Sequence, residues 1–143
     1  MRISTRGRYS LEALLYLALL PEGNFASTRS ISENTGISDS YLEQLFIPLK
    51  KAGIIRGIRG AQGGYLPGKP LAQILVGDIL RAVEGSLSPM MCLVNEVCPS
   101  AGECKTRHTW AKLYEEINGC VDSASLADLV ASYYLMDKQE YAI

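Results

Sequence analysis

Leu11, Leu14, Leu15 and Ala18 repeat at the spacing of one helix face, which predicts an amphipathic first helix. From Ser27 the chain reads STRSISENTGISDSYLEQLFIPLKKAGIIRGIRGAQGGYLPG. Ile31, Thr35, Ile37, Leu42 and Leu45, with Gly36 between them, predict a short helix, a tight turn and a second helix. Ser38 is a suitable N-cap for that second helix, and Ile37 with Leu42 stands in the relation of a hydrophobic staple. Gly53 ends it. Pro48 removes the bond back to Gln44, so it should bend the helix or loosen its last turn. Two short strands follow, Ile54 to Ile58 and Tyr65 to Leu66, joined by the turn RGAQGG into a ribbon with a cationic tip.

After the link LPGKPL the period becomes helical again. Val76 to Glu84 predicts a short amphipathic helix with Ile79, Leu80 and Val83 inward, closed by Gly85. Trp110, Leu113, Tyr114, Ile117 and Val121 form a single stripe on a long helix, with Lys112, Glu115 and Glu116 facing away. A last helix starts at Ser125, with Asp128 as capping-box partner, and buries Leu126, Leu129 and Val130. The fold class expected is mainly α with a small β-ribbon: a winged helix-turn-helix over residues 1–70, then a loop and helices over 71–143, including a long C-terminal dimerisation helix.

Charge adds direction to this outline. The net charge is -1, but residues 1–70 carry nine Lys/Arg against five Asp/Glu and residues 71–143 carry five against ten, so the halves stand at +4 and -5. A basic first half suits a polyanion. On the solvent side of the second helix stand Ser40, Tyr41, Glu43 and Gln44, followed by Lys50 and Lys51, and the Ser, Tyr and Gln side chains are able to reach base edges and phosphates in a major groove. Arg59 at the ribbon tip and Arg56 at its base suit a narrow minor groove, and Arg6 and Arg8 beside the first helix suit phosphates. The Trp110 to Val121 stripe either covers the core or, in a chain that reads two half-sites, serves as a two-fold seam. The arginines before the Leu11 to Leu20 run imitate a secretory signal, but Glu12 interrupts the run and no small-x-small site follows. The run is too short to span a bilayer. A cytoplasmic protein with reduced thiols is expected.

Three of the four cysteines, Cys92, Cys98 and Cys104, stand six residues apart in a loop that also holds Pro99 and Gly102, and the one histidine, His108, follows. Inert buried thiols are hard to reconcile with Pro, Gly, Glu and Lys neighbours. Structural zinc prefers ligand pairs two to four residues apart, and disulfide switching does not suit a reducing compartment. Iron-sulfur ligation fits best, since a widely spaced loop can wrap a cluster larger than one ion. His108 follows Cys104 by one helical turn, so both side chains share a face if the helix has begun by then. Cys120 is a spare thiol on this reading.

The stretches MRISTRGRYSLEAL, ISDSYLEQLFIPLKKAG, IRGAQGGYLPG and VGDILRAVEG, with the C-x5-C-x5-C loop, resemble the IscR-type winged-helix regulators, a family that also includes a nitric-oxide-sensing repressor and a cysteine-metabolism repressor. The resemblance covers nearly the whole chain. It implies a homodimer on palindromic double-stranded DNA, controlled by a 2Fe-2S or related cluster. By position it makes Ser40, Glu43 and Gln44 the recognition residues, Arg59 the wing arginine, and Cys92, Cys98 and Cys104 the cluster ligands. The iron-sulfur regulators have histidine three residues after the third cysteine; here that residue is Arg107, and His108 is rotated from it by about 100° on a helix. Either His108 or a carboxylate of the partner subunit completes the set on this reading, while Arg8 occupies the place of the acidic ligand of the nitric-oxide sensor. A cysteine-metabolism repressor, a thiol or zinc sensor on the same fold, and an iron-sulfur carrier without DNA are the alternatives. No paired carboxylates around a second histidine and no phosphate-binding glycine loop speak for an enzyme.

Overall fold

The computed structural model describes residues 2–94 and 102–140, the side chains of 139 and 140 excepted. Its elements are helices α1 (Thr5–Leu19), α2 (Thr28–Thr35) and α3 (Asp39–Lys51), strands β1 (Ile55–Ile58) and β2 (Gly64–Pro67), and helices α4 (Val76–Glu84), α5 (Arg107–Asp122) and α6 (Leu126–Glu140). Single 3-10 turns occupy Leu71–Gln73 and Met91–Leu93.

Helix α1 begins well ahead of the apolar run, so Arg6 and Arg8 lie within it rather than beside it. Its start is fixed from both sides of the sequence. Ser4 Oγ accepts from the Arg6 amide at 3.2 Å, and Glu84, at the far end of α4, accepts from the Gly7 and Ser4 amides at 2.9 Å each. Those amides would otherwise be orphaned at a helix N-terminus.

The α2–α3 pair forms as its local signals dictate. Ser27 Oγ accepts from the Ser30 amide at 3.1 Å, and Gly36 ends α2 in the left-handed region at φ 79°, where a side chain is strained. Ser38 Oγ accepts from the Tyr41 amide at 3.3 Å, while Ile37 and Leu42 are buried together. Helix α3 runs through Pro48 to Lys51. Only one ladder bond is lost there, and the Ala52 amide still donates to the Pro48 carbonyl at 3.0 Å.

The ribbon is antiparallel, pairing Arg56 with Leu66 and Gly57 with Tyr65. Reciprocal bonds between Ala26 and Tyr65, 3.0 and 2.8 Å, fasten its root to the segment before α2. Tyr65 meets the buried Phe46 of α3 edge-on, with centroids 4.8 Å apart. One core holds Leu14, Leu17, Ile31, Leu42, Leu45, Phe46 and Leu49, and Ile74, Ile79, Val83 and Leu126 pack into the same cluster.

Helix α4 keeps its expected bounds, with Ile79, Leu80 and Val83 buried. At the start of α6 the Asp128 amide donates to Ser125 Oγ at 3.2 Å and the Ser125 amide donates to Asp128 Oδ2 at 2.9 Å, a reciprocal capping box. Leu126 is buried, whereas Leu129 and Val130 are only half-buried. Helix α5 touches α4 on one side and has no buried residue.

Candidate functional site

The first half presents two adjoining surfaces. Along α3, Ser40, Glu43 and Gln44 are exposed in a row that continues into Ile47, Lys50 and Lys51. Tyr41 is only half-exposed: its ring meets Tyr9 of α1 edge-on at 5.8 Å, and its hydroxyl lies 3.4 Å from Thr5 Oγ1. It therefore joins the starts of α1 and α3. Arg8 sits over the Tyr9 ring, 4.8 Å from its centroid, and pairs with Glu12 at 4.0 Å.

The ribbon carries the second surface. Arg59 is exposed beside the tip, and neither it nor Lys50, Lys51 or Arg56 forms an ion pair among the described residues. Because successive strand residues face opposite ways, Arg56 and Gly57 lie on different sides of the ribbon. Gly57 and Arg59 border a cavity shared with Lys50, whereas Arg56 borders a separate cavity of about 750 Å³ with Leu17, Glu22, Leu66 and Lys69. The two arginines are thus set apart by the ribbon itself. Ile47, 70% exposed in an otherwise polar row, is the feature that periodicity passes over: an isolated apolar residue on a solvent face reads as ordinary surface.

The thiol loop lies between α4 and α5. Cys92 is half-buried in the Met91–Leu93 turn, Cys104 is exposed ahead of α5, and Cys98 lies outside the described residues. Helix α5 begins at Arg107, so the condition for Cys104 and His108 to share a helical face, a helix already begun at Cys104, is not met. The physical reason is the start of the helix: the Trp110 amide donates to the Thr106 carbonyl at 3.2 Å, while Cys104 lies ahead of the turn at residues 105–106. His108 is exposed in the first turn of α5, and Cys120 is exposed near its end.

Two contacts give the loop chemical character. The Cys104 thiol is held below its ordinary pKa by its hydrogen bond with Thr106, 3.5 Å away, aided by backbone amides and by the Arg107 charge. Arg107 Nη1 also donates to the Cys92 carbonyl at 3.5 Å, tying the two limbs of the loop. The donors suit an iron-sulfur centre, which takes thiolates. Among the described residues no three His, Cys, Asp or Glu side chains converge on one point.

Arg81 links α5, the helix that follows the loop, to α4, which packs on α1 and α3. It donates from Nη1 to Asp122 Oδ1 at 2.8 Å, and from Nη2 to Asp122 Oδ2 at 2.9 Å and Asn118 Oδ1 at 2.8 Å. Bidentate hydrogen bonding, with the carboxylate's charge, raises the Arg81 pKa and lowers that of Asp122. Gly77 makes the joint possible, since a Cβ there would collide with Asp122 Oδ1.

A helix pair with an exposed polar second helix, followed by an arginine-bearing ribbon, defines a winged helix-turn-helix transcriptional regulator that binds DNA, not an enzyme. The chain belongs to the Rrf2 family, described as an iron-dependent transcriptional regulator, which residues 3–132 match. It is 38% identical over 137 residues to the HTH-type transcriptional regulator IscR of Cronobacter sakazakii, covering 96% of this chain and 85% of that protein. To IscR of Serratia proteamaculans it is 41% identical over 130 residues, covering 91% and 79%. Among solved structures it is similar to CymR (YrzC), the global cysteine regulator of B. subtilis, with TM-score 0.75, 37% identity and 92% and 98% coverage. The structure of T. potens IscR gives TM-score 0.71 and 36% identity, covering 100% of this chain and 92% of that one. Among the described residues no helix is long and apolar enough to cross a membrane.

Proposed function

We propose that the chain acts as a cytoplasmic homodimer that reads a palindromic operator and holds a 2Fe-2S cluster that sets its affinity for DNA. Residues 1–70 form the reading head, and residues 71–143 carry the cluster loop and the two-fold seam. In each subunit α3 enters a major groove, where Ser40, Glu43 and Gln44 face base edges, Tyr41 braces the helix against α1, and Ile47 offers an apolar contact suited to a thymine methyl. Arg59 enters the adjacent minor groove, with Arg56 at the ribbon's base. The α5 stripe forms the seam, and Leu113, 44% exposed in the single chain, lies in it.

Cys92, Cys98 and Cys104 would hold the cluster, with either His108 or a carboxylate of the partner subunit completing the set. When bound, the cluster supplies a state that depends on iron and redox conditions. The observation that carries the reading is the Arg81–Asp122 joint: it connects α5, which leaves the thiol loop, to α4, which packs on α1 and α3. A tenfold change in operator occupancy needs only about 1.4 kcal/mol between the two states.

The test is a gel-shift on the promoter upstream of the protein's own gene, with and without the cluster, using anaerobically purified protein. Replacing Cys92, Cys98 and Cys104 by alanine should abolish visible absorbance while leaving the helical circular dichroism unchanged. Retained absorbance would sink the ligand assignment. A second reading, a cysteine-metabolism type of repressor on the same fold, is favoured by Arg107 at the family's histidine position and by the likeness to CymR. It predicts colourless protein that still selects its operator.

A further inference from the structure

Between the second half of α3 and the ribbon lies a cavity of about 280 Å³, bordered by Thr28, Lys50, Gly57, Arg59 and Tyr65. Gly57 carries no side chain, and the Lys50 ammonium lies across the strand there, 3.6 Å from the place a Cβ would take. Neither Lys50 nor Arg59 forms an ion pair among the described residues, and the Thr28 hydroxyl makes no hydrogen bond among them. The neighbouring Ser27 hydroxyl is committed to the Ser30 amide. Two unpaired cations and a free hydroxyl around one concavity are the complement of an oxyanion.

We propose that Lys50, with Arg59 and Thr28, seats one phosphate of the DNA backbone. Geometry selects which phosphate: a protein with α3 in a major groove and the ribbon in the adjacent minor groove straddles the strand that separates them, and this cavity lies between the two elements. The proposal rests on that docking mode. Lys50 then contributes affinity and register without reading sequence.

The experiment measures binding of the full-length protein to its own promoter duplex and to a scrambled duplex over a range of salt concentrations. Lys50→Met should lower the slope of log affinity against log salt by about 0.9, the release of one phosphate's counterions. Both duplexes should weaken by the same factor, and Lys50→Arg should restore the slope. Thr28→Val, which keeps shape and removes the hydroxyl, should weaken both duplexes equally with the slope retained. An unchanged slope in Lys50→Met, or an equal drop in Lys69→Met, whose side chain lies in the other cavity, would overturn the seat. So would loss confined to the promoter duplex, which would make Lys50 a base reader, or saturable binding of inorganic phosphate that Lys50→Met removes with the DNA slope intact. Failure of the parent protein to prefer its promoter would defeat the operator reading, while the slope on the scrambled duplex still decides the seat.

Discussion

Arg81 of α4 and Asp122 at the end of α5 meet through two parallel hydrogen bonds of 2.8 and 2.9 Å, and this pair, with Asn118 beside it, joins the helix after the thiol loop to the body of the protein. Both side chains are about one-third exposed, so solvent screens the charge and the hydrogen-bond geometry matters more. Arg81→Ala should lower stability by about 1 kcal/mol, roughly 3 °C in melting temperature. Arg81→Lys, which cannot make the fork, should recover little of it. Full recovery by lysine would show that charge alone maintains the joint.

Glu84 introduces a pH dependence into the first helix. Burial pushes its carboxyl up, but bonds from Ser4 and Gly7 and the charge of Arg6 outweigh this, and its pKa lies below the ordinary carboxylate value. A depressed folded pKa means stability that is present above the unfolded pKa and lost as pH falls through the folded one. Glu84→Gln should therefore be less stable than the parent in urea at neutral pH, and the gap should narrow as pH falls below the ordinary carboxylate range. A gap that persists at acid pH would refute the assignment.

Ser38 caps α3 and sets its first turn, which carries Ser40 and Tyr41. Ser38→Ala should cost about 1 kcal/mol by thermal unfolding, and Ser38→Gly a few tenths. If α3 is the reading helix, the alanine variant should also lose operator affinity before it loses its fold.

Leu113→Glu tests the seam. With 44% of the residue exposed, a charge there should leave the subunit's own melting transition little changed. Sedimentation should then show monomer where the parent shows dimer, and operator affinity should fall with it. A dimer that survives the substitution would place the seam elsewhere.

The elements legible in the sequence are those whose determinants lie within a few residues of one another. Ser38 with Tyr41, Ile37 with Leu42, and Ser125 with Asp128 each act over three to five residues, and all three form as expected. What the sequence hid depends on distant partners. Helix α1 starts at Thr5 because Glu84, eighty residues away, accepts its amides. Tyr41 is turned by Tyr9, and Arg56 faces away from Lys50 because strand alternation and the position of α1 decide its side. Whether Cys104 and His108 share a helical face is left open by the sequence, because a four-residue spacing carries no mark of where the helix begins, and here it begins between them.

The Arg81–Asp122 fork makes no use of residues 92–104, the span from the first to the third loop cysteine. The body of the protein is therefore clamped on both sides of that span. On the function proposed above, a different sensing insert could be grafted there without redesigning the scaffold that grips the double helix.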